Sequence, residues 1–551
     1  MMFGRMRHRI AAMGFACLRA CLRVGLTAGL AAGATLTATA SPARAEIAAL
    51  VIGIDRYTRI NPLQGAVNDA RDIDAALKGL GVRKRRLFID GEAERSRIIT
   101  AWRELIAETS PDSTLVLTFA GHGAQQPERV RGSEVDGMDE FLVLADFAPR
   151  GPGTAQRLTD DEIAVLLKEA APRRVIFVSD SCHSGTMTRG FDDRAGMLGT
   201  RAAKIDGAPV DRIEDDALPP PTRAALQAEA DDQPHVTFFA AVAEHELAPE
   251  VMIDRKPRGA LSWAFANALR GQADRDNDGI VTKGELETHI RGAVRMALEG
   301  KQHPQVQPRG RGELPLIDPV ATRPKPPSLL PAAGPVPLRI LAKPAAVKTL
   351  AAGLSGIEMA GKDDPALVWD SATGDVVSTM GDVLASIAGD PMAPETRRRV
   401  QGVVDKWSLV VRLKAAAQDR SLALALEPGD RNYRQGETVS LDIRGNSGTY
   451  FTLINLAADG TVNYLYPLAE RNDPAQIPKG GPYRLALTVE PPFGADHFLA
   501  IASTKPMAAL QRDLAALDGK PAAAEVATLL TRHLTGQPVE FGIHGVYSTA
   551  R

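Results

Sequence analysis

Cysteine, aromatic residues and long apolar runs are all scarce in this chain. Its 551 residues include three Cys, and Phe, Trp and Tyr together make up 5%. Cys17 and Cys21 lie in the first 45 residues, so the remainder keeps one thiol, Cys182. That excludes a disulfide scaffold and leaves Cys182 as either a buried inert residue or a reactive one. An excess of charge is also missing, with 65 Lys and Arg against 67 Asp and Glu. With no basic run, nucleic acid is not an expected partner. Hydrophobic residues at 44% and charged residues at 24% are ordinary globular composition. The length suits three to four domains of ~150 residues each.

The first 45 residues differ from the rest. Arg5, Arg7, His8 and Arg9 form a basic start, an apolar stretch rich in Ala, Gly, Leu and Thr runs from Val24 to Ala40, and Ala43-Arg44-Ala45 follows. This is the pattern of a signal peptide with a small-x-small cleavage site; the alternative is a transmembrane anchor, for which the stretch is short. Residues 1–45 hold six Arg and no acidic residue, so their removal takes the net charge from -2 to -8. The expectation is an exported, periplasmic or secreted protein with no stable membrane anchor after cleavage.

From residue 46 to 316, apolar runs alternate with helical patterns. Ile47–Ile54, Thr114–Phe119, Arg174–Val178 and Val236–Ala241 read as strands buried on both faces, and Arg86–Ile89 as a shorter strand. Ala66–Leu80, Glu94–Glu108 and Thr159–Ala170 have helical spacing. Such alternation predicts a doubly wound α/β domain with a mostly parallel sheet, whose functional groups gather beyond the carboxyl ends of the strands.

Two of these strands end in reactive residues. One runs into Phe119-Ala120-Gly121-His122-Gly123, the other into Ser179-Asp180-Ser181-Cys182-His183-Ser184-Gly185. A thiol needs a base to be nucleophilic at neutral pH, and flanking glycines leave backbone amides free to face an oxyanion. Alone, His122 reads as a core histidine and Cys182 as a small hydrophobe. At matching strand ends they read as a pair.

This G-H-G, followed by D-S-C-H-S-G, resembles the caspase-like cysteine peptidases, in the form found in metacaspases. The likeness extends through Leu63–Ala70 (L-Q-G-A-V-N-D-A), Asp136–Asp146 (D-G-M-D-E-F-L-V-L-A-D) and the G-A-L-S-W-A-F segment from Gly259. The resemblance implies Cys182 as nucleophile, His122 as the histidine that moves the proton, and the amides of Gly123 and Cys182 as the oxyanion hole. It implies Asp69 and Asp180 as the lining of the pocket for the residue before the cut bond. Two carboxylates there favour Arg or Lys and repel Asp. In some metacaspases an acidic residue shortly after the nucleophile helps to bind calcium. Here that neighbourhood reads Thr186-Met187-Thr188-Arg189, a departure from the pattern.

A separate calcium signal runs from Asp274 to Glu285 and fits the EF-hand loop without a gap. Asp274, Asp276 and Asp278 offer side-chain oxygens, Ile280 its carbonyl, Thr282 a direct or water-mediated contact and Glu285 a bidentate carboxylate. As a single hand it suits a structural or permissive Ca2+ rather than a switch. The segment 186–234, rich in Asp, Gly, Arg and Pro, contains Arg189, Arg194, Arg201, Lys204 and Arg212. It reads as a site of self-cleavage or as a surface insertion.

Recurrent prolines make 317–344 a linker, 345–420 is a weakly patterned connecting region, mostly helical but ambiguous, and 421–551 reads as an all-β, sandwich-like domain. This last part resembles a β-rich domain of unknown function found behind bacterial exported caspase-like proteins, which implies a binding or targeting module with an envelope partner. The expected function is a cysteine endopeptidase that cuts protein or peptide substrates after Arg or Lys. The rival reading is a catalytically silent caspase-fold calcium-binding scaffold or envelope interaction protein.

Overall fold

The computed structural model describes residues 46–551 except 129–136, 183–198, 204–217, 219–232, 243–246, 255, 275–277, 299–301, 319–336, 344–350, 352, 361–364, 379–380, 418–421, 429–431, 445, 447, 475, 481–482, 536, 538 and 551. Residues 1–45, read as a signal peptide from the sequence, most of 186–234, the proline-rich 319–336 and Asp276 lie outside the described residues. No helix of the described residues is long and apolar enough to cross a membrane.

In the first half, β1 (Ile47–Gly53), α1 (Ala66–Gly79), β2 (Lys84–Ile89), α2 (Arg95–Glu108) and β3 (Thr114–Ala120) follow the alternation read from the sequence. A small antiparallel sheet comes next, formed by β4 (Gly123–Pro127), β5 (Met138–Val143) and β6 (Arg157–Thr159). Helix α3 (Asp160–Glu169) leads to β7 (Arg174–Asp180). Then come β8 (Gly199–Thr200), β9 (Val236–Ala240), β10 (Pro249–Ile253), β11 (Lys256–Gly259), α4 (Ala260–Asn267), β12 (Val281–Thr282), α5 (Lys283–Leu298), β13 (Gln305–Gln307) and β14 (Pro315–Ile317).

The main sheet has the order β13-β9-β7-β3-β1-β2. All its pairings are parallel except β13 with β9. Every residue of β3 is buried, which accounts for its uninterrupted apolar character. Separate apolar cores on the two faces of the sheet follow, one built on α1, α4 and α5 and the other on α2 and α3. Each fully buried Leu, Ile or Val contributes ~1.5–3 kcal/mol to holding these layers. Helix α3 starts with a capping box: Thr159 Oγ1 accepts from Glu162 N, while Glu162 accepts from Thr159 N. Glu162 also forms a buried pair with Arg95 at 2.9 Å, fastening α3 to the start of α2.

The second half is β-rich as expected, but its strands begin earlier than the sequence suggests. Leu338–Lys343, expected in the linker, is a strand. Besides the helix Pro394–Ala417, the described part of 345–420, expected to be mostly helical, supplies the strands Ile357–Met359, Leu367–Asp370, Asp375–Ser378 and Val383–Ser386. All belong to the same eleven-stranded sheet as Tyr450–Leu456, Gly494–Ser503 and Val539–Thr549. The strands are three to six residues long, too short for alternation to emerge against Ala- and Gly-rich flanks. A second sheet of Ala423–Glu427, Thr438–Arg444 and Tyr483–Thr488 packs on a separate core. Arg295 of α5 donates to Leu424 O at 2.7 Å, so the two halves touch.

Candidate active site

The parallel register of β3 and β7 sets Phe119 against Ser179 and Ala120 against Asp180. The residues that follow therefore leave the carboxyl edge side by side, and both His122 and Cys182 are fully buried. Three contacts hold the histidine. Its backbone N–H donates to the Tyr57 hydroxyl at 3.0 Å, its ring packs on that of Tyr57 at 4.8 Å between centroids, and its Nε2 is hydrogen-bonded to Asn61 O at 2.8 Å. The Tyr57 hydroxyl in turn donates to Val143 O at 3.1 Å. Burial pushes His122 down to about 4, opposed by the backbones of Asn61 and Arg201.

Cys182 is a free thiol whose Sγ accepts from Ala248 N at 2.9 Å. Burial pushes the thiol up to about 12, against the lowering effects of that amide and of the Arg201 charge. The His122 Nδ1 is buried without a hydrogen-bond partner, so thiol and imidazole are not hydrogen-bonded to each other. Both groups stand in their neutral forms at neutral pH.

Arg201 explains what lies between them. Its carbonyl oxygen accepts from Gly123 N at 3.0 Å and Cys182 N at 3.3 Å, the two amides named for an oxyanion hole. Its N–H donates to Ala248 O at 3.0 Å. Before it, Gly199 and Thr200 (β8) pair antiparallel with Glu250 and Pro249 of β10. After it, Ala202 bridges Gly123, and Ala203 N donates to Gly123 O at 3.0 Å. Residues 199–203 thus cross the site as an extended strand with the Arg201 carbonyl at its centre.

The Arg201 side chain has no exposed surface. Its Nη1 lies 3.1 Å from Asp180 Oδ1 and donates to Asp180 O at 3.0 Å. Its Nη2 pairs with Asp69 Oδ2 and lies 3.5 Å from Glu250 Oε1. Burial works against this charge, but the attraction of Asp180, Asp69 and Glu250 outweighs it and holds the guanidinium above its usual range. Burial also raises Asp69 well above the usual carboxylate range, despite the lowering effect of Arg201. Gly259 completes the wall. Its N–H donates to Asp69 Oδ2 at 2.9 Å, and a Cβ there would run into Asp180 Oδ2 and Arg201 Nη1. Asp180 Oδ2 accepts from Ser262 N at 2.8 Å, near the start of α4.

All the residues named from sequence at this site, Cys182, His122, Gly123, Asp69 and Asp180, gather around Arg201. Sequence reasoning missed Glu250 and did not single out Arg201 from four other basic residues. Glu250 sits in an unremarked strand, P-E-V-M-I, and only the β8–β10 pairing brings it to the pocket.

The Asp274–Glu285 loop lies apart, between α4 and α5. Asp274 Oδ2 accepts from Gly279 N at 3.1 Å, and its Oδ1 is buried without a hydrogen-bond partner. Gly279 adopts φ +86°, the left-handed turn that this loop position needs. Asp278 Oδ1 accepts from Ile280 N at 2.8 Å, and Glu285 Oε2 accepts from both N and Oγ1 of Thr282. Asp274, Asp278, Ile280, Thr282 and Glu285 are the described residues of this loop that could hold a metal ion. Val281 and Thr282 (β12) pair with β14 of the same chain. A second carboxylate group escaped the sequence reading: ligand oxygens of Asp139, Asp160 and Asp161 lie within 4.8 Å of one another. Its traces were the D-G-M-D-E and T-D-D-E runs, whose meeting across β5 and α3 no local pattern announces.

Residues 47–313 match the family model of the caspase domain, and residues 432–506 match a domain of unknown function, DUF4384. Among similar curated proteins, Metacaspase-1B of Aspergillus clavatus is 25% identical over 294 residues, covering 47% of this chain and 68% of the relative. Metacaspase-1B of Aspergillus oryzae is 26% identical over 294 residues, with shares of 47% and 66%. Metacaspase-1A of Aspergillus clavatus is 26% identical over 257 residues, with shares of 40% and 58%. The chain therefore spans about two thirds or less of these three relatives' length. Among solved structures, a Geobacter sulfurreducens protein aligns at 20% identity and TM-score 0.31, covering 47% of this chain and 92% of that one. Caspase-1 of Spodoptera frugiperda aligns at 13% identity and TM-score 0.30, with shares of 48% and 88%. The sheet order, the strand ends that carry His122 and Cys182 and the family match agree on one assignment: residues 47–313 are a caspase-like domain of metacaspase type, and residues 432–506 match DUF4384.

Proposed function

We propose that this chain is a cysteine endopeptidase that hydrolyses peptide bonds after Arg or Lys, and that its first substrate is its own Arg201–Ala202 bond. The observation that carries this reading is the seat of Arg201, with its side chain among three carboxylates and its carbonyl oxygen on the amides of Gly123 and Cys182. An extended segment held on both sides of a basic residue is how a peptide substrate would lie.

In this mechanism Cys182 Sγ attacks the Arg201 carbonyl carbon, and the thiol proton passes to His122. With the thiol high and the imidazole low, that transfer accompanies the attack rather than preceding it. The Gly123 and Cys182 amides stabilise the tetrahedral oxyanion. The carbon–nitrogen bond to Ala202 then breaks, and the leaving amine takes the proton from His122. Water, deprotonated by His122, cleaves the thioester and leaves an Arg201 carboxylate and the free thiol. The residue pairs named here supply both positioning and charge stabilisation.

Calcium in the Asp274–Glu285 loop belongs to the same reading, with Asp274, Asp278, Ile280, Thr282 and Glu285 as its described donors and Asp276 completing the motif. The loop is tied to β14 within one chain, which favours a structural or permissive ion over a switch. Export through residues 1–45 and an envelope partner for the DUF4384 domain complete the proposal.

The test compares purified full-length protein with Cys182→Ala and Arg201→Gln. The expected result is a fragment beginning at Ala202 from the unaltered chain, none from either variant, and hydrolysis of fluorogenic Arg and Lys peptides by the processed protein. Cleavage after Asp, or a chain that stays intact and inert with its thiol reduced, would overturn the reading in favour of a scaffold.

A further inference from the structure

Glu250 is a fully buried carboxylate that the catalytic steps above do not use. Its two oxygens are fixed by two backbone donors: Gln64 N reaches Oε2 and Gly65 N reaches Oε1, both at 2.9 Å. Gly65 caps the start of α1, and Asp69 lies in the first turn of that helix. Glu250 is therefore held rigidly beside Asp69, on the strand that also carries the backbone of residues 199–200.

The contacts of Arg201 divide between the branches of its guanidinium. Nη1 serves Asp180 alone, Nη2 serves Asp69 and Glu250, and Nε is buried without a partner. An ammonium is a single point of charge on a flexible stem. It can lie between Asp69 and Asp180, but it has no second branch to turn toward Glu250. A pocket of Asp69 and Asp180 alone would accept Arg and Lys on similar terms. With Glu250 added, one branch of the fork faces a pair of carboxylates, and only the fork satisfies all three.

Resting on the peptidase reading above, we propose that Glu250 is the specificity-determining residue that makes this pocket select arginine over lysine. Asp69 and Asp180 ask for positive charge, and Glu250 asks for its shape.

The proposal is tested first without catalysis. Four full-length chains, all carrying Cys182→Ala, are digested with trypsin: one otherwise unaltered, one with Arg201→Lys, one with Glu250→Gln and one with both. Trypsin cuts after Arg and Lys, so cleavage after position 201, normalised to an unfolded peptide of each sequence, reports how often that residue leaves the pocket. Cleavage after Arg95, buried against Glu162, monitors global unfolding. Arg201→Lys and Glu250→Gln are each expected to raise cleavage after position 201 about ten-fold, and the double variant little more than either. Independent, multiplying effects would overturn the proposal. If Glu250→Gln also exposes Arg95, Glu250→Asp replaces it, and the same lack of additivity is required.

The second arm uses the protein with Cys182 intact. The ratio of kcat/KM for Arg over Lys peptides is expected to fall at least five-fold in Glu250→Gln, and an unchanged ratio would overturn the assignment. If the unaltered protein cleaves neither peptide while the digestion shows the coupling, the peptidase reading fails and guanidinium selection by Glu250 stands.

Discussion

Arg201 and Asp180 are joined twice, through Nη1 to the carboxylate at 3.1 Å and through the same nitrogen to the Asp180 carbonyl at 3.0 Å. Asp180 stands two residues before Cys182, at the end of a central strand of the sheet. The pocket is thereby built into the same strand end as the thiol. A change of fold large enough to move one moves the other.

Asp180→Asn removes a charge that faces the guanidinium but keeps a side chain of the same size. A hydrogen bond to a charged group contributes ~1.5–3 kcal/mol, so kcat/KM for Arg peptides is expected to fall by roughly 10- to 150-fold, mostly through KM. Steady-state kinetics on the processed protein measure this. A fall confined to kcat would place Asp180 outside substrate recognition.

His122 titrates at about 4 because burial disfavours its charged form. Its ordinary pKa is near 6.5, so between those values the unfolded chain binds a proton at this site and the folded chain does not. Stability from this group is then present above pH ~6.5 and lost as pH falls toward ~4, by a few kcal/mol in total. Denaturant melts of the unaltered protein and of His122→Gln across pH 4 to 7 measure this. The slope of their difference should vanish above pH ~6.5.

Tyr57→Phe keeps the ring on His122 and removes the hydroxyl that bridges His122 N to Val143 O. Two buried backbone groups lose a partner, at a cost of ~1–3 kcal/mol of stability. The kcat for Arg peptides should fall several-fold while KM and the Arg-to-Lys preference remain, because the pocket acids are untouched. Thermal melts and peptide kinetics on one preparation read both effects.

Glu162 serves α3 as a cap and Arg95 as a counter-charge, with both oxygens engaged. Glu162→Ala breaks this buried ion pair by removing one side of it, which costs ~3–5 kcal/mol. The loss should appear in the denaturation midpoint of the peptidase domain. Arg103→Ala, which breaks a pair that is 41% and 32% exposed, should change stability by less than ~1 kcal/mol.

Asp274→Asn reduces the charge on the first ligand of the proposed calcium loop, and titration calorimetry should register at least about a ten-fold loss of affinity. Asp160→Asn is the control. If it abolishes binding and Asp274→Asn does not, the ion belongs to the Asp139, Asp160 and Asp161 group.

Much of the site was legible because it rests on local words at strand ends. His122 and Cys182 follow apolar runs whose burial on both faces is plain from composition, and parallel neighbours deliver their ends together. Glu250 was not legible, because its meaning arises from a two-residue ladder that pairs Pro249 with Thr200 and Glu250 with Gly199, far apart in the sequence. The strands between 367 and 386 are hard to read for a related reason. Val376, Val377 and Leu384 are buried sheet residues, yet each belongs to a four-residue strand with too few alternations to outweigh its neighbours.

The segment from Gly199 to Ala203 is tethered to the site it fills. In the proposed enzyme, a peptide arriving from solution competes with a ligand whose effective concentration is set by chain length rather than by mixing. Progress curves with an added peptide should therefore begin with a lag whose time constant does not change when the protein is diluted. Cutting the Arg201–Ala202 bond leaves the Arg201 side chain beside the same three carboxylates, so the lag outlasts the cut until that new chain end departs. The enzyme would keep time by the release of its own product.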